Sequence, residues 1–524
     1  MAIGRNGHSD LRRLAAIALR RPYVRRPRHA GVLVLGLVSI IAWQWTFLRQ
    51  GDRLDGGYEL TASSGLNSEH RFVYFFYYLG LYPVTSDEGH APFLADPGYK
   101  RFSRAAAERV IRERGQTLLM EWDHTIRVGE RGKMFLYLPD AILKGSPRPP
   151  LRVRPLHAAA FMLALCSVFA AFWWARVPLL GGVLTLFAGS DPFQLYEVYG
   201  KENVFGWPMT TGLLILALSV PLSRRRPPRT AVLLSLAALM GALLATIGQV
   251  RTEPVAILVS VVFSCLFLAR TARWRRLLVA AALVTSFVGI TRAWQFWFDA
   301  KFEEARTVVA AAGHPYNGPR DAAHAFWHPI WCGLGDFDTT HGYQWVDEAA
   351  ASYAHPILRS VYGLPLPEWK GERWVYPGRF WDSGHRYYQM PYEMPHYSEV
   401  LRDKVLGDIA GDPAWYGGIL ARRAWRLLTE TTPLRVALGR FHVTLPGSGL
   451  LAIPVIAILA ATGSGTLLRV ACFPLATSLP AFLIYSGRGM SFYSWYHIVA
   501  AAILVSIAVD VGVRWTIRQS RRRR

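Results

Sequence analysis

Four short segments of the chain carry ionisable side chains in spacings that can do chemistry. The first is Asp52-Arg53-Leu54-Asp55-Gly56-Gly57-Tyr58-Glu59, in which Asp55 is a candidate general base. A carboxylate held at a lipid headgroup layer is partly desolvated, which raises its pKa toward that of a useful proton acceptor. The second is Ser86-Asp87-Glu88-Gly89-His90, whose adjacent Asp87 and Glu88 can serve as a base or ligate a divalent metal ion. The third is Ser190-Asp191-Pro192-Phe193, leading to Glu197, Lys201 and Glu202. The fourth is Gln249-Val250-Arg251-Thr252-Glu253-Pro254. In reduced dielectric, the planar fork of Arg251 can clamp a phosphate. Arg488 can add a second cation. The same residues also suit plainer roles. Asp and Gly are common in turns, adjacent acids are common in solvated loops, and Arg251 can simply pair with Glu253.

The densest cluster is His324-Ala325-Phe326-Trp327-His328-Pro329-Ile330-Trp331-Cys332-Gly333-Leu334-Gly335-Asp336. His324 and His328 are one helical turn apart and, with Cys332 or Asp336, could bind zinc. Pro329, however, would end that helix, and the surrounding aromatics favour a packed turn with the histidines satisfied by backbone. Trp331 and its neighbours can also stack on sugar rings, which suits a glycan acceptor without a metal.

Apolar runs supply the elements that must position these groups. A helix crossing a hydrocarbon core of roughly 30 Å needs about 20 residues. Such runs lie near 30–48, 156–174, 177–190, 205–222, 231–249, 254–270, 277–296, 449–463, 470–486 and 492–512. They predict an all-α bundle of about ten spans with both termini cytoplasmic and two mixed α/β extracytoplasmic regions. The organisation is a basic tail (1–29), a first span (30–48) and a first outer domain (49–154). A six-span bundle (155–296), a second outer domain (297–446), a three-span bundle (447–512) and a basic tail (513–524) follow. In the first outer domain an amphipathic helix is expected near 101–114 and a strand over 116–122. In the second, Asp412-Pro413 opens a helix to Leu428 whose Arg422, Arg423 and Arg426 suit the membrane interface.

Charge placement supports this layout. The two terminal tails and the loops on their side of the membrane hold 24 of the 59 Lys and Arg against one acid, Asp10, which leaves 35 basic and 35 acidic residues elsewhere. The formal charge of +23 therefore sits on one face, as the positive-inside rule requires. Arg confined to short juxtamembrane loops points to anionic lipid headgroups and away from nucleic acid. Of four cysteines, Cys332 alone lies outside a span, so no extracytoplasmic disulfide is expected. Span centres hold almost no ionisable groups, which favours chemistry at the outer interface over transport. Ala- and Arg-rich usage suggests a bacterial plasma membrane, with the large domains facing the periplasm or exterior.

In their order along the chain, these features resemble the GT-C superfamily of membrane glycosyltransferases, which take sugars from polyprenyl-phosphate carriers. Asp55-Gly56-Gly57-Tyr58 is similar to the acidic motif of that superfamily's first outer loop. Asp191-Pro192 is similar to its Asp-Pro motif, and Arg251-Thr252-Glu253-Pro254 to its Arg-x-Glu start of a later span. Arg488 before Phe492, Tyr493, Tyr496 and His497 is similar to its terminal basic-aromatic segment. The resemblance implies sugar transfer from a lipid-linked donor to a glycan, lipid or protein acceptor. The base would be Asp55 or the Asp87-Glu88 pair, and Lys201, Arg251 and Arg488 would hold the carrier phosphate. Residues 297–446 match none of its motifs. Two other classes stay open: a His-dependent ligase or acyltransferase working through His324 or His328, and a non-enzymatic scaffold binding a protein partner of the cell envelope.

Overall fold

Apolar runs in this chain become helices because lipid offers backbone amides no partner, and a helix satisfies them internally. The computed structural model describes residues 28–50, 68–82, 102–114, 132, 134–148, 151, 154–175, 177–190, 206–223, 228–250, 255–268, 271–313, 315, 327–362, 368–370, 373–375, 381–382, 385–386, 396–429, 434–438, 441–445, 450, 452–461 and 496–523. In chain order the first helices are α1 (Arg28–Gln50), α2 (Ser68–Leu79), α3 (Arg104–Arg114), α4 (Met134–Lys144), α5 (Arg154–Trp174) and α6 (Pro178–Ser190). Then come α7 (Gly206–Ser219), α8 (Thr230–Ile247), α9 (Val255–Phe263), closed by a π turn over Ser264–Leu268, and α10 (Arg273–Ala311). The later part holds α11 (Trp327–Leu334), α12 (Asp347–Tyr362), α13 (Tyr397–Gly411), α14 (Pro413–Thr429), α15 (Ala452–Ala461) and α16 (Tyr496–Arg523).

Among the described residues, four helices are long and apolar enough to cross a membrane, over Pro155–Trp174, Thr230–Ile247, Arg273–Ala311 and Ile498–Arg521. Shorter apolar helices cover Leu33–Trp45, Pro178–Ser190, Thr210–Leu222 and Ile257–Phe267. Every expected apolar run except 470–486, which lies outside the described residues, coincides with a helix. One boundary differs. The run at 277–296 does not end in a turn but continues as a single 39-residue helix to Ala311.

The structure is mostly helical. Among the described residues the strands form three antiparallel pairs, β1 (Glu368–Lys370) with β2 (Arg373–Val375), β3 (Trp381–Asp382) with β4 (His385–Arg386), and β5 (Leu434–Leu438) with β6 (Phe441–Leu445). The expected helix near 101–114 is α3, whereas the expected strand at 116–122 falls outside the described residues.

Small residues let the bundle helices approach closely, as apolar solvent requires. A Cβ on Gly189 of α6 would meet Ile40 of α1 at 2.7 Å, and one on Gly182 would strike Leu33. On α8, a Cβ at Gly241 would collide with the Leu283 carbonyl of α10. Ser286 donates to Ala238 O (2.7 Å) and Trp294 to Thr246 (3.3 Å), so α8 and α10 run parallel in constant register. Only three residues separate α5 from α6, which makes that pair antiparallel and brings the start of α5 to the end of α6.

The upper half of α10 leaves the bundle as a pillar. Its Phe298 and Phe302 pack on Tyr82 (6.0 Å each), and Trp294 and Trp297 on Phe135 of α4 (5.4 and 5.7 Å). These rings form the core shared with α2, α3 and α4. A separate core joins α11, α12, α13 and α14 around Trp331, Tyr343, Tyr397 and Ile419. Strand β5 returns to the bundle, where Val436 enters the main core and the strand lies against α6 and α1.

Candidate functional site

Two regions gather polar groups. The first is the rim of the bundle from which the sequence motifs depart. Near the end of α1, buried Gln44 donates its amide to Gly189 O at the end of α6 (2.6 Å). At the start of α5, His157 is fully buried, bonds Thr210 through Nε2 (3.1 Å) and stacks flat on Trp207 of α7 (4.4 Å, 9°). Gly132 donates its N–H to Gln249 O at the end of α8 (2.7 Å), and a Cβ there would sit 2.9 Å from Gln249. Leu136, Trp207 and Val250 close a small core beneath that contact. The end of α1, the end of α6, the start of α7 and the turn after α8 thus meet at one end of the bundle.

Asp55, Asp87, Glu88, Asp191, Lys201, Arg251, Glu253, His324 and Arg488 lie outside the described residues. Described neighbours bracket several of them: Ser190 precedes Asp191, Val250 precedes Arg251, and Gly206 follows Lys201 by five positions. Gln44 and His157 are contributions to the rim that the sequence reading missed. The signal available was a polar side chain inside an apolar run, which defaults to function or to an interhelical bond.

The second region is a polar and aromatic network within residues 327–429. Its first helix, α11, begins at Trp327, so Pro329 occupies the first turn, where a missing N–H is tolerated, rather than ending a helix. His328 is buried and bonds the Tyr397 hydroxyl through Nδ1 (2.7 Å), a side-chain partner where a backbone one was expected. Trp331 is 1% exposed and packs on Tyr343 and Tyr353 (4.5 and 4.9 Å), so it forms core and presents no sugar platform. Among the described residues no group of three His, Cys, Asp or Glu side chains could hold a metal ion.

The loop after α11 folds around one carboxylate. Asp338 accepts from the backbone of Thr340 (2.9 Å), His341 (3.0 Å) and Tyr343 (2.7 Å), and from Trp415 Nε1 (2.9 Å). Gly342 supplies the left-handed turn inside this nest at φ +82°. Burial pushes Asp338 up, but these four donors outweigh it and hold the carboxyl below its ordinary value. Asp408 behaves alike. Burial raises it, yet donors from Lys404 (2.8 Å) and Tyr343 (2.7 Å), with the Lys404 and His341 charges, leave it lowered. Burial and the Asp408 charge push the Tyr343 hydroxyl strongly up, so it stays a neutral donor. Lys404 lies over the rings of Tyr343 and Tyr353 (5.1 Å each). His341 sits 3.7 Å from both Asp408 and Asp412. With its carboxylates already engaged by donors, this network is built to hold shape.

Helix α14 opens as its sequence predicts. Asp412 caps the Trp415 N–H (2.9 Å) and Pro413 takes the first helical position. Its arginines do not all face outward, however. Arg423 is fully buried beside Asp336, and burial lowers its pKa against the opposing Asp336 and Tyr416 charges. Arg426 pairs with Asp336 (3.2 Å), while Arg422 is exposed.

The chain is similar to an archaeal oligosaccharyltransferase. Against AglB from Archaeoglobus fulgidus, in complex with an inhibitory peptide and a dolichol-phosphate, it aligns with a TM-score of 0.37 and 10% identity. The alignment covers 93% of this chain and 51% of that one. Against the Archaeoglobus fulgidus oligosaccharyltransferase tethered with an acceptor peptide, the TM-score is 0.34 and the identity 12%, covering 93% and 50%. The chain spans about half the length of these structures, and at this level of agreement none of its residues takes a role from them. No protein-family model and no curated protein matches the chain.

Proposed function

We propose that the chain is a GT-C-type membrane glycosyltransferase moving a sugar from a polyprenyl-phosphate carrier to an envelope glycan, lipid or protein acceptor at the outer face of a bacterial plasma membrane. Convergence at the rim carries this reading. The Gln44–Gly189, Gly132–Gln249 and His157–Thr210 contacts tie together the chain ends that lead directly to Asp191, Lys201 and Arg251. Asp55 follows the end of α1 by five residues, a reach of at most about 18 Å. Trp173, Trp174 and Trp274 are exposed at the opposite ends of α5 and α10, close to Arg176, Arg273, Arg275 and Arg276, which fits a cytoplasmic aromatic and basic belt.

In the proposed reaction Asp55, or Asp87 in its place, takes the proton of the acceptor hydroxyl. The acceptor oxygen bonds the anomeric carbon of the sugar as the bond from that carbon to the phosphate oxygen breaks. The electron pair leaves with the polyprenyl phosphate, whose charge Lys201, Arg251 and Arg488 would hold. Positioned proton transfer is worth about 100- to 10,000-fold, so Asp55→Asn should lower transfer by at least about 100-fold. Full transfer from a polyprenyl-phosphate sugar by the double variant Asp55→Asn, Asp87→Asn would rule the mechanism out. Lipid analysis of the purified protein tests the donor class: a polyprenyl phosphate should co-purify and be lost with Arg251→Ala. Bulk phospholipid alone in both preparations would favour the scaffold reading and direct attention to residues 297–446.

A further inference from the structure

The second outer domain ends in a helix whose exposed face is unlike a solvated one. Along α14 the exposed positions are Pro413, Ala414, Gly417, Ala421, Arg422 and Trp425, with one cation and no carboxylate among them. Trp425 is 66% exposed, and an indole so placed is characteristic of membrane interfaces. Beside it, two guanidiniums share one ring: Arg422 lies 5.7 Å and Arg426 4.7 Å from the centroid of Phe337. Arg422 is braced further by its Nε bond to Gly418 O (3.3 Å), and Arg426 by Asp336. Two guanidiniums one turn apart, stacked on a common ring, are preordered to take a phosphate.

Chain connectivity sets where this face can be. Four residues separate α14 from β5, and β5 packs on α6 and α1 of the bundle. Four residues span at most about 14 Å, so the carboxyl-terminal end of α14 is tethered close to the helices that cross the membrane. Inward, Trp415, Ile419 and Arg423 are buried in the domain, so the helix is already seated on one side.

We propose that α14 docks the second outer domain on the outer leaflet: Arg422 and Arg426, stacked on Phe337, bind the phosphate of an anionic phospholipid while Trp425 enters the headgroup layer. The site is independent of the donor and acceptor assigned above, and its role is to hold the outer domain at a fixed height over the bundle rim.

The test uses the full chain in nanodiscs, with Trp425→Cys carrying a nitroxide label and the unsubstituted chain setting the labelling background. Collision with oxygen, which partitions into lipid, is compared with collision with a water-soluble nickel chelate. In phosphatidylcholine with phosphatidylglycerol, the label should be reached mainly by oxygen. One arginine near an anionic surface shifts the docked-to-undocked ratio by about fivefold. Arg422→Gln, a change on the exposed face, should therefore reduce that ratio by about the same factor, and pure phosphatidylcholine, which removes the attraction of both arginines, should reduce it by at least as much. A label open to the nickel reagent in both lipids would overturn the proposal. So would one shielded from both reagents, which would indicate a protein occupant. Immersion indifferent to phosphatidylglycerol and to Arg422 would refute the phosphate clamp. A shift produced only by trace polyprenyl phosphate would assign the clamp to the carrier and overturn its assignment to bulk lipid.

Discussion

Replacing Asp338 by Asn changes one atom of the loop that organises the core of α11, α12, α13 and α14. Both carboxylate oxygens are used. Oδ1 accepts from Thr340, His341 and the Trp415 indole, and Oδ2 accepts from Tyr343 at 2.7 Å and His341 at 3.2 Å. An amide can keep the acceptor at Oδ1 but must place an NH2 against the Tyr343 N–H, where two donors meet. A hydrogen bond to a charged acceptor is worth about 1.5–3 kcal/mol, so the loop should lose about 2 kcal/mol. At about 1.4 kcal/mol per factor of ten, local opening becomes roughly 30-fold more frequent. Amide hydrogen exchange on the full chain in nanodiscs reads this directly, because local opening sets exchange rates region by region. Amides of α11, α13 and α14 should lose about 30-fold protection, while those of α8 and α10, which share no core with this domain, should keep theirs. Unchanged exchange in α14 would refute the view that Asp338 holds Trp415 and hence the helix. An equal loss in α8 would show that the two cores are not energetically separate.

At the α8–α10 crossing, Gly241→Ala places a methyl group against the backbone of Leu283 and Phe287, which cannot rotate away. The expected cost is about 1–3 kcal/mol, read as a lower unfolding midpoint in detergent, and an unchanged midpoint would show that the two helices can separate freely. The domain built from α11 to α14 should also lose stability in acid. Asp338 and Asp408 are held below the ordinary carboxylate value, so their contribution is present above a pH of about 4 and disappears as pH falls through their lower folded values. Exchange protection of α13 should be flat from neutral pH to mild acid and then drop. Protection that rises on acidification would contradict the assignment.

Much of this architecture could be read from the chain alone, because the physics involved is local. Apolar runs such as 156–174 and 231–249 become helices whatever surrounds them, since in hydrocarbon the backbone has no other partner. Asp412-Pro413 likewise announces the start of α14 through capping chemistry confined to four residues. The order of the acidic, Asp-Pro and Arg-containing motifs is also a property of sequence, and the proposed sugar transfer draws on it.

Tertiary structure decided what depends on partners far apart in the chain. Sequence periodicity gave Arg422, Arg423 and Arg426 one common role, yet Asp336, some 90 residues earlier, draws Arg423 inward and leaves Arg422 outside. His328 was expected in a packed turn with a backbone partner, yet its partner is the Tyr397 hydroxyl 69 residues on, and Trp331, open to a role as a sugar platform, is covered by Tyr343 and Tyr353. Asp338 carried no motif at all, because its importance lies in three backbone amides and an indole that only the folded loop brings to it. A periodic pattern fixes which residues share a helix face. Whether that face meets lipid, water or another helix is set by packing, and that is a property of the whole fold.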